Sequence, residues 1–299
     1  MSDLGKYRVE QEARQRAGTS RRATRYGEVI NRYLGTYSYV DPYVPAKAPA
    51  PDPPVIDSTA TGTVIAGVDD APTSHVAVDH AAIEAELRGY GLLLVHAGNT
   101  PHDPRLLTRV VKRVRAFAPS VPVTTRVSVG MTPVEMLLTD AGDDDLIVVG
   151  HRHGPLRGAL RRSVADRVAA RHPGPVLVVD APWPAAPELA SRPLVVGVDE
   201  APSAGRVVGF ALQEARLRGC DLILLHVTRE ASDAPDRSDR RGGVTVQNRT
   251  VVGNPVNELV SASQYAAAVV LGRRPGHIGL GSVGGAVLHQ AQCPIFFVG

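Results

Sequence analysis

VIAGVDDAP, residues Val64–Pro72, returns 130 positions later as LVVGVDEAP, Leu194–Pro202. At the same offset LRGYGLLLVH (Leu87–His96) returns as LRGCDLILLH (Leu217–His226). Deletions then shorten the spacing: GMTPVEMLL (Gly130–Leu138) is matched by GNPVNELV (Gly253–Val260), and PVLVV (Pro175–Val179) by PIFFV (Pro294–Val298). An ordered series of this kind marks a tandem duplication, so one fold has to serve both copies. The recurring apolar runs are short and β-branched, and helix-like segments separate them, as for strands buried on both faces of a parallel sheet. Strands are expected near 63–68, 92–97, 123–128, 145–150 and 175–179, and again near 193–198, 221–227, 244–252, 267–271 and 294–298. The polar stretch Thr228–Gly243, TREASDAPDRSDRRGG, is too rich in turn formers for the helix that its position calls for, and is expected to be a mobile loop.

Around this core the chain divides into a basic, Tyr-rich arm with a Pro/Ala-rich spacer (1–62), a first repeat (63–180), a linker (181–192) and a shortened second repeat (193–299). The 299 residues carry a net charge of only +3, which gives no field that would by itself select a nucleic acid or a membrane. Two cysteines build neither a disulfide framework nor a metal cluster and fit a reducing compartment. No apolar run reaches the roughly 20 residues of a membrane span, and the N-terminus lacks a signal-like segment, so the expectation is a cytoplasmic protein without membrane insertion. The lysines are Lys6, Lys47 and Lys112, which leaves no P-loop and no lysine-dependent site in the second repeat. No Gly-x-Ser-x-Gly elbow or Ser/His/Asp order stands out, and the chain is read as not an enzyme. His151 and His153 would be half of a zinc site, but no local cysteine or acidic cluster completes it, so no metal is expected.

The ordered set of strand motifs, including DLIVVG (Asp145–Gly150) and AAVVLG (Ala267–Gly272), resembles the universal stress protein family in its tandem form over residues 63–299. The resemblance implies two tandem open parallel five-stranded sheets with helices on both faces, strand order 3-2-1-4-5, and a ligand crevice at the carboxyl ends of the first and fourth strands. Ligands gather at such an edge because helix N-termini and free backbone N–H groups converge there. ATP-binding members are similar to one another in a loop after the fourth strand, Gly-x-x-Gly, nine residues, then Gly-Ser or Gly-Thr.

Both loops depart from that pattern. GHRHGPLRGALRRSV (Gly150–Val164) keeps Gly150 and Ser163, but His153 and Arg162 replace glycines, with Gly154 as a substitute one position on. GRRPGHIGLGSV (Gly272–Val283) keeps Gly272, Gly281 and Ser282 but has lost four residues and carries Pro275 at a glycine position. The cofactor-binding positions that the resemblance implies are Asp69, Ala97, Gly150, His153, Gly154, Ser163 and Val164 in the first repeat, and Asp199, Gly272, Gly281 and Ser282 in the second. Of the two sites the first is expected to be the better preserved; the leading expectation is no cofactor, with ATP in the first repeat as the one alternative. Asp69 and Asp199 are read first as caps of the following helices.

The arm has no counterpart in the family pattern. It holds Tyr7, Tyr26, Tyr33, Tyr37, Tyr39 and Tyr43, six of the eight tyrosines, and from Lys6 to Arg32 eight basic residues against three acidic ones. Tyr26, Val29, Ile30, Tyr33 and Leu34 fall on one helical face. Tyrosine and arginine dominate interface hot spots, so Tyr26, Val29, Ile30, Tyr33, Leu34, Tyr37 and Tyr39 are assigned to a partner surface, ahead of packing on the chain's own repeats or of disorder. The leading expectation is thus a non-enzymatic accessory or regulatory protein with degenerate nucleotide loops, docked to a larger protein assembly through residues 1–55. An ATP- or AMP-binding stress sensor is the first alternative, and a nucleic-acid- or ribosome-associated factor the second. The two repeats are expected to pair with each other through their last strands.

Overall fold

A computed structural model describes residues 26–30, 32, 62–98, 104–151, 163–180, 192–199, 204–230, 236–273 and 279–299. The first repeat runs β1 (Thr63–Gly67), α1 (Pro72–Arg88), β2 (Gly91–Gly98), α2 (Pro104–Phe117), β3 (Val123–Val129), α3 (Pro133–Asp140), β4 (Leu146–His151), α4 (Val164–Arg171) and β5 (Val176–Asp180). The second runs β6 (Leu194–Val198), α5 (Ala204–Arg218), β7 (Leu222–Thr228), β8 (Arg237–Arg241), β9 (Val244–Val252), α6 (Pro255–Ser263), β10 (Ala268–Gly272), α7 (Gly281–Gln290) and β11 (Ile295–Val298). Within each repeat the parallel strands follow the order 3-2-1-4-5, β3-β2-β1-β4-β5 and β9-β7-β6-β10-β11. The two sheets join edge to edge: β11 pairs antiparallel with β5, placing Ile295, Phe296 and Phe297 opposite Val178, Leu177 and Val176, and one 11-stranded sheet results.

Alternation along the strands distributes side chains between two cores. Val64, Ala66, Val270 and Phe296 face the layer that contains α1, α2 and α5, whereas Ile65, Val269, Leu271 and Phe297 face α3, α4, α6 and α7. Both cores run through the joint between the repeats, and Phe296 and Phe297 are almost fully buried there. At about 1.5–3 kcal/mol for each such side chain, the joint is a substantial part of the folding energy. Helix α2 shows why the sequence reads as it does: Leu106, Leu107, Val110, Val114 and Phe117 are buried on one stripe, while Arg113 on its flank donates from Nε to Asp79 Oδ1 of α1 at 2.7 Å.

Two expectations are corrected. Part of the stretch expected to be a loop is a strand: Arg237–Arg241 pairs antiparallel with β9, Arg241 opposite Val244. Gly242 and Gly243 close the hairpin with φ of 55° and 87°, the pair of positive values that a two-residue turn between twisted strands requires. All five β8 residues are exposed, so no apolar alternation announced the strand, and their charges protect a sheet edge from further pairing.

The second correction concerns the arm. Residues 26–30 are helical, and Tyr26, Val29 and Ile30 are buried in a cluster with Ile83 and Leu87 of α1. The Arg218 guanidinium of α5 stacks 5.2 Å from the Tyr26 ring centroid, and Arg32 pairs with Glu86 at 2.5 Å. These three apolar residues therefore serve the chain's own core rather than an exposed partner surface, because α1 offers an apolar site within reach. Tyr33, Leu34, Tyr37 and Tyr39 lie outside the described residues, as does 181–191 of the linker.

Under this turn the pseudo-symmetry of the repeats becomes chemical. Glu84 and Arg88 on α1 meet their counterparts Glu214 and Arg218 on α5. Each arginine binds both carboxylates: Arg88 donates to Glu84 and Glu214, and Arg218 to Glu214 and Glu84. Their side chains are only 2–9% exposed. Burial pulls the Arg218 pKa down, but the two carboxylates more than compensate and hold it above the ordinary arginine value.

Candidate functional site

Each repeat opens a crevice where the carboxyl ends of its first and fourth strands diverge, the point at which strand order reverses. In the first repeat Gly67 at the end of β1, Val68 and Asp69 just after it, Ala97 from β2, Gly150 from β4 and Ser163–Val164 from the start of α4 line a space of about 250 Å³. Every predicted first-repeat position within the described residues is in this lining; His153 and Gly154 lie outside those residues. Gly150 is required for a steric reason, since a methyl added there would lie 2.5 Å from the Thr73 carbonyl oxygen.

The polar groups of this first crevice are taken up by the chain itself. Asp69 Oδ1 accepts from the Ala71 N–H at 2.9 Å, which braces the turn into α1 while Ala71 occupies the N-cap position. Ser74 Oγ accepts from the Asp69 N–H at 2.8 Å and donates to the Gly67 carbonyl at 3.2 Å. Ser163 is the N-cap of α4 in a reciprocal capping box: its Oγ accepts from the Asp166 N–H at 3.1 Å, while its own N–H and O–H donate to Asp166 Oδ2 at 2.9 and 2.6 Å. The helix end that would attract an anion thus already faces a carboxylate.

The second repeat differs. Asp199 at the end of β6, Gly272 at the end of β10, and Gly281 and Ser282 at the start of α7 come together around about 510 Å³, together with His226 and Arg273. The volume falls within the range of about 300–1,000 Å³ typical of small-molecule sites, and the first crevice falls below it. Among the described residues no side chain caps α7, and its first turn has no acidic residue. Its leading N–H groups present the positive end of a helix to the crevice. The described positions that the family resemblance implies line these two crevices, which differ in a feature no motif carries: a capping box at α4 and, among the described residues, none at α7.

Positive charge near the second crevice is partly committed. Arg273 reaches back across the joint, and its guanidinium donates to the carbonyls of Ala169, His172, Pro173 and Gly174 around the carboxyl end of α4. Burial, with Arg206 nearby, pulls its pKa down to about 10, which leaves it charged at neutral pH and suited to the negative end of that helix. His96 Nδ1 lies 2.8 Å from the Val68 carbonyl and ties β2 to β1. Ser282 and His226 both line this second crevice.

Comparison with known proteins agrees with this architecture. The family model described as "Universal stress protein family" matches residues 105–180 and 191–241. The chain is similar to universal stress protein Rv1996 of Mycobacterium tuberculosis, 27% identical across 78% of this chain and 93% of that protein, and equally to Rv2623 of the same organism, 27% identical across 78% and 94%. Among solved structures, a universal stress protein from Archaeoglobus fulgidus superposes with a TM-score of 0.56 at 14% identity, covering 79% of this chain and 95% of the other. A universal stress protein solved in complex with cAMP is 30% identical over 41% of this chain and 98% of its own, with a TM-score of 0.35. Among the described residues no helix is long and apolar enough to cross a membrane.

Proposed function

We propose, from the premise that this chain belongs to the universal stress protein family in its tandem form, that it is a non-enzymatic regulatory protein of the stress response whose second repeat binds an adenine nucleotide with a short phosphate chain, such as AMP. The observation that carries this reading is the N-terminus of α7, without a side-chain cap among the described residues, opening on a crevice of about 510 Å³ that Asp199 also lines. Phosphate oxygens would take the N–H groups of Gly281 and Ser282, and Asp199 would face the ribose hydroxyls. The shortened loop after β10 supports a mono- or diphosphate over a wrapped triphosphate. In the first repeat the self-satisfied Ser163–Asp166 box disfavours ATP. The non-enzymatic part rests on the sequence, in which no Gly-x-Ser-x-Gly elbow or Ser/His/Asp order stands out. Binding would act by shifting the surface that the chain shows to others. A docking role for the arm then rests on Tyr33, Leu34, Tyr37 and Tyr39.

Calorimetry on the full chain with AMP, and separately with ATP and magnesium, tests the proposal. AMP binding with one site per chain, lost in Ser282→Asp and retained in Ser163→Asp, is the expected result. No binding, or binding lost in Ser163→Asp and indifferent to Ser282→Asp, would overturn it.

A further inference from the structure

We infer that His151, Asp166 and His289 form a binding site for a divalent transition-metal ion of the zinc type that clamps the two repeats together. His151 ends β4 of the first repeat, Asp166 sits in the first turn of α4, and His289 lies in the last turn of α7 in the second repeat. Each offers one ligand atom, and these atoms lie within 4.8 Å of one another. The two imidazole rings meet edge to face with centroids 4.9 Å apart, and His289 Nε2 stands 4.0 Å from Asp166 Oδ1. That gap exceeds a hydrogen bond, and it is close to the separation of about 3.3 Å that two ligands adopt across a tetrahedral ion with bonds near 2 Å.

The surroundings fit a metal better than an ion pair alone. Asp166 is oriented from behind: both Ser163 donors engage Oδ2, which leaves Oδ1 directed towards His289. Metal-ligating carboxylates are fixed in this way by a second layer of hydrogen bonds. His151 is 2% exposed and rigidly placed by strand pairing with Asp180, whereas His289 is 55% exposed and has room to swing inward. The exposed ring also provides the entry path. Two nitrogens and one carboxylate oxygen suit Zn²⁺, Co²⁺, Ni²⁺ or Cu²⁺ and are a poor set for Mg²⁺ or Ca²⁺, which take oxygen ligands. Three protein ligands leave a fourth position to water.

The test is titration of the full chain with Co²⁺ alone, read by its visible absorption, followed by displacement with Zn²⁺. One equivalent of Co²⁺ giving tetrahedral-type bands, with affinity at least tenfold weaker in both His289→Ala and Asp166→Asn, is expected. His289 is exposed and Asn preserves the capping acceptor, so both variants keep the fold, which circular dichroism verifies. A clamp across the joint also predicts that Zn²⁺ raises the urea midpoint of the parent chain and leaves that of His289→Ala unmoved. Absence of the bands in the parent, or bands of equal affinity in the variants, would overturn the proposal and leave an ordinary His289–Asp166 ion pair.

Discussion

Replacing Arg218 with methionine tests whether the buried quartet holds the repeats in register. The arginine is 3% exposed, binds Glu84 of one repeat and Glu214 of the other, and stacks on the Tyr26 and Phe296 rings at 5.2 and 5.3 Å. Methionine keeps much of the stem volume but leaves two buried carboxylates sharing Arg88 alone. Removing one partner from a buried ionic cluster costs about 3–5 kcal/mol, because two buried negative charges are left with one counterion and no water. For a chain of this size that lowers the thermal midpoint by on the order of 10 °C. The companion variant Arg218→Met with Glu214→Leu removes one charge of each sign and leaves the Glu84–Arg88 pair intact. Urea unfolding of the parent, both single variants and the double closes a mutant cycle, in which the double should recover at least about 1 kcal/mol relative to additivity. An Arg218→Met loss under about 0.5 kcal/mol, or strictly additive single effects, would refute the reasoning.

Other consequences follow from groups described above. Ile30→Ala should destabilise the chain by about 2–4 kcal/mol, since the side chain is fully buried against α1; hydrogen exchange of α1 amides should rise in parallel, and an unchanged urea midpoint would show that the arm is not docked. Gly150→Ala should cost about 1–3 kcal/mol by forcing β4 away from the Thr73 carbonyl, measured as a lower urea midpoint. Burial pushes the Tyr26 hydroxyl up to about 12, the Cys220 thiol up to about 11 and the Cys293 thiol up to about 12. All three favour the neutral form in the folded chain, so their contribution is complete below the unfolded values of 9 to 10 and is lost as pH climbs towards 12. On the acid side burial lowers the pKa of His80, helped by Arg218, and that of His172. Stability should therefore decline as pH falls below 6.5, the ordinary histidine value, and a His172→Gln chain should show a shallower decline in urea midpoint between pH 7.5 and 5.

The duplication, the strand positions and the strand order were readable because parallel strands buried on both faces leave continuous apolar runs, and two copies of each run corroborate one another. The crevice positions came from the resemblance to the family, whose motifs sit at the strand ends of both copies. What escaped reading depends on partners far apart in sequence. Arg88 meets Glu214 across 126 positions, and Arg218 meets Glu84 across 134. The same holds for Tyr26 on α1 and for His289 beside Asp166, neither of which has a local signature. Strand β8 escaped because its side chains are solvated on both sides, and only the Gly242–Gly243 turn and the β-rich run after it signalled a hairpin. Tyr26, Val29 and Ile30 were assigned to a partner for an instructive reason: Tyr and apolar side chains serve equally well in an internal interface and an external one, and composition does not distinguish them.

The antiparallel seam between β5 and β11 joins parts of one polypeptide, so the association does not depend on how dilute the protein is. In a dimer of identical subunits any substitution appears twice, and a change that impaired one cleft would impair its mate. Here one half is free to tie its helix end to Ser163 and Asp166 while α7 in the other has no such box, and one polypeptide carries two crevices that can diverge independently.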